Sequence, residues 1–328
     1  SAPQYALPLE KATWQGEAVV AVVANTRATA EDAAALVEID WEVLPPVTDA
    51  ETATAGGTPL IHSDLGDNQA WQRMADFGDV DAAYADADHV VEETFVFGRH
   101  TGVCLESRGL VADFEPSEEQ LTVWHNNQCP HMVQNILADK FRLEEHKVRV
   151  ITRDVGGSFG IKVHTYADEV ATVGLSIMLK RPVKYIADRL ESFVGDIHAR
   201  DHRVSARMAL DKGGKITAID MEDLTGIGPY SVYPRTSGIE ANQIVNLTGG
   251  PYTIENYRAS ARVVFTNKNV MCQYRAVGHP IACAVGEGLV DAAARSMDID
   301  PIEIRRRNLI PDDAYPYTYV TGLPFEKL

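Results

Sequence analysis

The stretch VRVITRDVGGSFGIK, residues 148–162, joins an apolar run to a turn with three glycines in five positions. The β-branched residues of 148–152 predict a strand. The glycines of 156–160 predict a tight turn or a close approach of the backbone to another group, because glycine accepts conformations that other residues avoid. Free N–H groups in such a turn can bind an anion such as a phosphate, and Lys162 can add a positive charge. The alternative is a plain strand-to-helix turn in which Phe159 is buried.

The glycine turn does not match the common nucleotide-binding motifs. Its glycines lack the spacing of G-x-G-x-x-G, and no Lys-Ser or Lys-Thr pair follows as in a P-loop. The order Gly156-Gly157-Ser158-Phe159-Gly160 has the spacing of a G-x-S-x-G nucleophile elbow, but that elbow passes directly from a strand into a helix, and the next predicted helix begins only at 166. A nucleophilic role for Ser158 is therefore disfavoured.

The composition is that of a soluble globular protein. The 328 residues predict two domains, or one large domain with an appendage, and 45% are hydrophobic. A net charge of -17 argues against binding to nucleic acid or to an anionic membrane surface. No apolar run approaches the roughly 18 residues of a membrane span. The four cysteines form no C-x-x-C pair, which favours free thiols in a reducing compartment and a cytoplasmic location.

Strands and helices mix without strict β-α alternation, which predicts an α+β fold. Strands are predicted at 18–24, 37–43, 89–97, 110–114, 121–125, 148–152, 183–188, 203–210, 216–220 and 257–265. Helices are predicted at 29–37, 79–88, 129–141, 166–179, 283–297 and 302–308. Residues 51–80 lack periodicity and predict a linker. Both ends look unfinished, and the tail at 315–319 shows no terminal element, so a processed chain, a fragment or one piece of a larger subunit is expected.

Three polar or glycine-rich loops are the candidate site. Gln128 offers an amide donor, and Arg275 offers a guanidinium suited to an oxyanion. The alternatives are a helix cap for Gln128, a surface ion pair for Arg275 and an ordinary surface histidine for His131. The loops are 126–131, 156–162 and 273–280.

These loops resemble signature motifs of the xanthine dehydrogenase / molybdenum hydroxylase family. Residues 154–162 are similar to D-[VI]-G-G-G-F-G-x-K, residues 127–131 to T-Q-x-P-H and residues 274–280 to [YF]-R-G-x-G-x-P. The tail at 300–309 is similar to D-P-x-E-[LIV]-R-x-x-N-[LM], and residues 16–34 resemble the a/b hammerhead domain. The resemblance spans essentially the whole chain in the family's order and spacing.

The resemblance implies a domain organisation for the molybdenum-binding subunit. Residues 1–55 would be the C-terminal part of an a/b hammerhead domain, and 56–80 a linker. Residues 81–328 would form the first molybdopterin-binding domain, with an α+β fold. The chain would thus be the N-terminal half of the large subunit.

The resemblance also implies a molybdenum–molybdopterin cofactor, often in its cytosine dinucleotide form in bacteria. The pterin dithiolene holds the metal in this family, so no protein metal ligand is expected. Carried over by position, Gln128 would hydrogen-bond the molybdenum oxo ligand and Arg275 would contact the region of the metal. Gly157, Phe159 and Gly160 would lie against the cofactor. Gln128 and Arg275 are the implied catalytic residues.

Departures from the family pattern narrow the range of expected substrates. Purine-oxidising members have Glu at the position of Val163 and Phe at the position of Val277. Their substrate-binding arginine falls on Gln243 in an ungapped count. Aerobic carbon monoxide dehydrogenases have a copper-binding cysteine where this chain has Ala276. Purine and CO oxidation are disfavoured, and an aldehyde or an N-heteroaromatic compound is the expected substrate.

The family's catalytic glutamate belongs to a second molybdopterin-binding domain downstream of this chain. The expected partners are therefore a second molybdopterin-binding chain or a C-terminal half, an iron–sulfur subunit with [2Fe-2S] clusters and an FAD subunit. The expected function is hydroxylation with water-derived oxygen. The alternatives are an assembly protein that binds the cofactor without turnover, or a CO-dehydrogenase-like or purine-oxidising member.

Overall fold

Two mixed β-sheets frame the protein in the computed structural model, which describes residues 2–326. The strands are β1 (Gln69–Phe77), β2 (His89–Phe97), β3 (Gly109–Glu115), β4 (Gln120–His125), β5 (Val148–Ile151), β6 (Val183–Ile186), β7 (His202–Leu210), β8 (Ile216–Gly226), β9 (Asn256–Val264), β10 (Tyr317–Thr318) and β11 (Pro324–Phe325). The helices are α1 (Arg27–Ala34), α2 (Val80–Ala85), α3 (Pro130–Phe141), α4 (Ala167–Leu179), α5 (Arg189–Gly195), α6 (Ile239–Leu247), α7 (His279–Met297) and α8 (Pro301–Asn308). The α+β fold class is confirmed.

The five-stranded sheet has the order β1-β9-β8-β7-β2 and carries the larger core. All neighbours are antiparallel except β8 and β9, which are parallel and are joined through α6. Along β7 the buried side chains of Val204, Ala206 and Met208 alternate with more exposed ones, as a sheet with one buried face requires. α6 and α7 pack against this sheet. Its core includes Ile219, Tyr257, Ile244, Val285 and Leu289.

The four-stranded sheet has the order β5-β4-β3-β6, and α3 and α4 pack against it. Leu121 and Val123 of β4 point to the same face and are fully buried against Leu137 of α3 and Val173 of α4. Each such buried side chain stabilises the fold by about 1.5–3 kcal/mol relative to an exposed one. The second core is thus separate from the first.

β4 and β5 are the parallel pair of this sheet. The carboxyl ends of parallel neighbours meet at the same sheet edge, which is where open sheets commonly carry their sites. The loop after β4 contains Gln128, and the loop after β5 contains the glycine turn. Topology alone therefore brings two of the three candidate loops together.

The N-terminal predictions are partly wrong. Residues 18–24 and 37–43 are not strands, and most of their side chains are intermediate or exposed. An apolar run becomes a strand only when another strand forms hydrogen bonds with its backbone. Within residues 2–326, no strand pairs with either of these segments. The helix between them is real: α1 begins after Thr26, whose hydroxyl accepts a hydrogen bond from the Thr29 N–H.

The prediction of a linker at 56–80 is wrong for 69–77, because β1 pairs there with β9 along the edge of the five-stranded sheet. Its side chains are mostly exposed, so the segment lacks the apolar alternation by which strands are recognised. α5 and α6 were not predicted, and the tail does contain a small hairpin, β10–β11. The other predicted strands and helices are confirmed, most with small shifts at their ends, although β8 extends six residues beyond the predicted 216–220 and α7 begins four residues before the predicted 283. No helix within residues 2–326 is long and apolar enough to cross a bilayer.

Candidate functional site

Gln128 and the glycine turn are bound directly to one another. The Gln128 backbone N–H donates to the Lys162 carbonyl at 3.0 Å. The Gly160 N–H donates to Gln128 Oε1 at 3.2 Å. The side chain of Gln128 is therefore held by the turn through its oxygen, which leaves its Nε2 donor directed elsewhere.

The Arg275 loop closes on the same turn from the five-stranded sheet. The Arg275 N–H donates to the Phe159 carbonyl at 2.9 Å. Gly160 has φ +99°, and a Cβ on it would lie 2.6 Å from the Gln273 carbonyl oxygen. Only glycine allows this approach. The structure thus brings all three candidate loops together.

The side chains presented by these loops are exposed. Phe159 is 42% exposed, which contradicts the alternative of a buried Phe, and its φ is +52°. Within residues 2–326, neither Gln128 Nε2 nor the Arg275 guanidinium has a hydrogen-bond or ion-pair partner. Gln128 is not a helix cap: α3 has no side-chain cap, and Asn127 Oδ1 accepts from the Cys129 N–H at 2.5 Å. The site therefore offers two free donors beside an exposed aromatic ring.

The prediction of a phosphate cradle is wrong for the N–H groups of Gly156, Gly157 and Gly160. The Gly156 N–H donates to Glu106 Oε2 at 2.8 Å, and the Gly157 N–H donates to the Val155 carbonyl at 2.9 Å. Lys162 is buried, and its Nζ donates to the same Glu106 oxygen at 2.8 Å. Burial acts to raise the pKa of Glu106, but these hydrogen bonds lower it overall. The lysine therefore stabilises the turn and is not available to a ligand.

The three predicted substrate positions differ in accessibility. Val163 is buried beneath the turn, with 7% of its surface exposed. Gln243 Oε1 accepts from the Gly278 N–H at 2.8 Å and lies 3.2 Å from His279 Nδ1. Val277 is part-buried in a left-handed conformation, φ +53°. Gln243 therefore supports the Arg275 loop, and the substrate roles of all three residues stay predictions.

A buried charged network behind the Arg275 loop was missed by the sequence analysis. Arg200 Nη2 donates to the Arg275 carbonyl at 2.9 Å, and its Nη1 donates to the Val277 carbonyl and to Glu240. His202 lies 2.9 Å from Asp223 and 3.3 Å from Glu240. Burial alone would lower the pKa of His202, but these carboxylates raise it to about 9. The one sequence feature that could have indicated this network is His202, a histidine at a buried position of β7.

A second buried network holds the glycine turn from below. The Tyr166 hydroxyl donates to the Ile161 carbonyl at 2.7 Å, and the Arg108 guanidinium stacks on the Tyr166 ring at 3.6 Å. Arg108 is enclosed by Asp168, Glu169 and Asp196 at 2.6–2.9 Å. Burial acts to lower the pKa of Arg108, but these carboxylates hold it well above the ordinary value. Both turns of the site are thus supported by buried ion pairs.

The surface fits a molybdopterin group by its donors and its backbone. Asn127 Nδ2 and Gln273 Nε2, both within the loops, are buried without a hydrogen-bond partner in residues 2–326, and such groups are rare unless a ligand or water serves them. The close backbone packing at Gly160 leaves the face of the turn without a side chain at that position. Within the same residues, no group of three His, Cys, Asp or Glu is placed to hold a metal ion. All four cysteines are free thiols.

Residues 61–309 match the family model of the molybdopterin cofactor-binding domain. The chain belongs to this family. It is 36% identical over 313 residues to the large subunit of nicotine 6-hydroxylase from Paenarthrobacter nicotinovorans, covering 95% of this chain and 38% of that protein. It is 30% identical to the large molybdopterin subunit of nicotinate dehydrogenase from Eubacterium barkeri, covering 91% of this chain and 69% of that protein. The resemblance to the xanthine dehydrogenase / molybdenum hydroxylase family is confirmed.

Solved structures of a quinoline oxidoreductase and a CO dehydrogenase share the fold. Quinoline 2-oxidoreductase from Pseudomonas putida 86 superposes with a TM-score of 0.94 at 33% identity, over 99% of this chain and 41% of that one. CO dehydrogenase from Oligotropha carboxidovorans superposes with a TM-score of 0.90 at 29% identity. The chain therefore spans about two fifths of the length of these proteins and of the first curated relatives.

Proposed function

We propose that this chain is the cofactor-binding part of the molybdenum catalytic subunit of a hydroxylase. The observation that carries the proposal is the meeting of three loops from two sheets, with Gln128, Phe159 and Arg275 exposed at their junction. These loops contain the motifs by which the chain resembles the family, and the family model spans all of them.

Each residue would contribute to holding the cofactor in a distinct way. Gln128 Nε2 and the Arg275 guanidinium offer charge-neutral and charged donors to the oxygen-bearing head of the group. Gly157 and Gly160 keep the turn narrow, because both have φ +99°. Phe159 offers an apolar face that excludes water from one side. The cytosine dinucleotide form is part of this proposal.

When bound, a molybdopterin group supplies a metal that accepts two electrons while the substrate gains oxygen from water. The balanced reaction converts a C–H bond and one water into a C–OH group, two protons and two electrons. The exposed donors of this chain orient the reacting groups, and the buried networks keep those donors in place. The proton acceptor is assigned to a glutamate outside this chain.

The partners follow from the electron path. Two electrons must leave the site, and we assign them to [2Fe-2S] clusters and FAD on separate subunits. Relatives carry the names "large subunit", "subunit gamma" and "large molybdopterin subunit", which indicates multi-subunit complexes in those proteins. A second molybdopterin-binding chain or a C-terminal half completes the site, in the cytoplasm.

The substrate class we favour is an N-heteroaromatic compound, with aldehydes as the second class. The relatives include proteins named for nicotine, nicotinate and quinoline, all of which contain an aromatic nitrogen ring. Val163 replaces the Glu and Val277 the Phe of purine-oxidising members, and Ala276 provides no thiol for copper. These departures favour an N-heteroaromatic ring other than a purine.

The test uses the complex isolated with its native partner chains. Gln128→Ala and Arg275→Ala are each expected to lower turnover about 10²-fold, because removing one such donor has about that effect. The controls are Gln120→Ala and Arg306→Ala, two exposed residues, of which Gln120 lies at the opposite end of β4 from the Gln128 loop and Arg306 lies in α8. Turnover is measured with azaarenes and aldehydes and a dye acceptor, and molybdenum by metal analysis.

The outcomes separate the alternatives. Molybdenum near one per chain, with turnover of an azaarene, supports the hydroxylase. Bound cofactor without turnover of any compound in either class identifies an assembly protein. A complex without molybdenum, or wild-type rates in both variants, contradicts the proposal.

A further inference from the structure

Arg200 is buried, with 6% of its surface exposed, yet its donors point at backbone rather than at solvent. One nitrogen donates to the Arg275 carbonyl at 2.9 Å, and the other donates to the Val277 carbonyl. Its guanidinium also lies 5.5 Å from the centroid of the Tyr274 ring. The side chain therefore contacts the Arg275 loop on both sides of the turn.

The turn that Arg200 holds is unfavourable by itself. Ala276 has φ +66° and Val277 has φ +53°, although neither is glycine. A left-handed conformation is a genuine outlier for a β-branched residue such as valine, so surrounding contacts must impose it. The Val277 N–H donates to the Tyr274 carbonyl at 2.7 Å and closes the turn. The carbonyls of Arg275 and Val277 accept hydrogen bonds from Arg200 instead.

A fully buried acidic group fixes the direction of the Arg200 guanidinium. Glu240 has none of its surface exposed and binds Arg200 through Oε1, while its Oε2 lies 3.3 Å from His202 Nε2. His202 is anchored in turn by Asp223 at 2.9 Å and by the Thr225 hydroxyl at 2.7 Å. Because these groups are enclosed, the guanidinium cannot swing out to water, and the carbonyls it binds cannot move independently.

We propose that Arg200 is a positioning residue that sets the direction of Arg275 by clamping the carbonyls of Arg275 and Val277. The inference rests on the proposed role of Arg275 at the cofactor. Arg200 itself does not reach the exposed face of the site, so its effect on turnover passes through the Arg275 loop.

The test variant is Arg200→Lys in the complex with its native partners. Lysine keeps the charge that neutralises Glu240, but its single ammonium lacks the planar fork that reaches two carbonyls at once. Turnover per bound molybdenum is expected to fall about tenfold or more, because small displacements of positioning groups have large effects on rate. Hydrogen exchange of residues 275–279 is expected to accelerate, while that of 120–125 stays unchanged.

Arg99→Lys is the matched control. Arg99 is another largely buried arginine, which donates to Asp201 at 2.7 Å and to the carbonyls of Asn269 and Gly226 at 2.5 and 2.7 Å. Its loss removes an equivalent clamp that does not contact the Arg275 loop. It is expected to lower the free energy of unfolding without the fall in turnover per bound molybdenum.

A double-mutant cycle distinguishes positioning from general damage. In the Arg275→Ala background, Arg200→Lys is expected to change turnover by less than about twofold, because interacting residues are non-additive. Equal effects in both backgrounds, or an equal fall in Arg99→Lys, would overturn the inference. If Arg200→Lys does not accumulate with cofactor, the pair Arg200→Gln with Glu240→Gln removes both charges and enters the same cycle.

The cycle also separates this inference from the proposed function. Wild-type turnover in Arg275→Ala with molybdenum present would contradict the role of Arg275. Unchanged hydrogen exchange at 275–279 in Arg200→Lys would contradict the clamp whatever the enzyme does.

Discussion

Gly160→Ala tests whether the close approach of the loops is essential. The φ of +99° costs about 1–2 kcal/mol for a residue with a Cβ. The new Cβ would lie 2.6 Å from the Gln273 carbonyl oxygen, so the two backbones must separate by about 0.8 Å to reach ordinary contact at 3.4 Å. That separation breaks the Gly160–Gln128 and Arg275–Phe159 hydrogen bonds, each worth about 1 kcal/mol.

The expected loss is therefore about 3–4 kcal/mol, out of a typical stability of about 5–15 kcal/mol. Gly160→Ala should fold, but with its donors displaced it should bind less molybdenum and turn over about 10²-fold more slowly. Chemical denaturation, metal analysis and dye-linked turnover measure the three effects. Gly57→Ala is the matched control, because Gly57 has φ +86° and no atom within 4 Å of an added Cβ. If Gly160→Ala is no less stable than Gly57→Ala and keeps wild-type turnover, the close approach is not essential.

Further predictions concern the buried supports of the site. The folded-state pKa of His202 lies above the roughly 6.5 of an unfolded histidine, so its stabilisation is complete below that pH and is lost as the pH rises through about 9. Denaturation from pH 6 to 10 should show a decline on the order of 3 kcal/mol that is absent in His202→Gln, and an equal decline in the variant would contradict this. Tyr166→Phe removes the buried hydrogen bond to the Ile161 carbonyl and should destabilise by about 1–3 kcal/mol, with faster hydrogen exchange in the glycine turn. Leu137→Ala should lower the free energy of unfolding by about 2–5 kcal/mol, because Leu137 is buried in the second core. Met178→Ala, at a site 77% exposed, should change it by no more than about 0.5 kcal/mol, and similar values for both variants would argue against the second core.

Elements with a buried face and a clear period were predictable from the sequence. The strand at 89–97 was predicted at the bounds it has, and α3 and α7 were found because apolar residues recur at helical spacing. Segments whose structure depends on distant pairing were not. β1 exists only because β9 pairs with it, and 18–24 is not a strand because no neighbour pairs with it in residues 2–326.

The exposed residues of the site could be predicted from the sequence, but the buried residues that hold its loops in place could not. Motifs pointed to Gln128, Phe159 and Arg275, and the structure places them at one junction. The sequence could not show that the Lys162 ammonium is paired with the Glu106 carboxylate, because the two residues lie 56 positions apart along the chain. The role of Arg200 could not be predicted either, because the groups by which it holds the Arg275 loop are backbone carbonyls, which every residue has.

The third apolar cluster has a consequence for assembly. Cys104, Ile161, Tyr166, Ile197 and Cys272 pack together, with Tyr274 against them, apart from the cores of both sheets. It joins the glycine turn to the segment leading to Arg275, so the cluster is complete only when these two segments lie together. A chain in which either sheet is misplaced would therefore not present the three loops as one face.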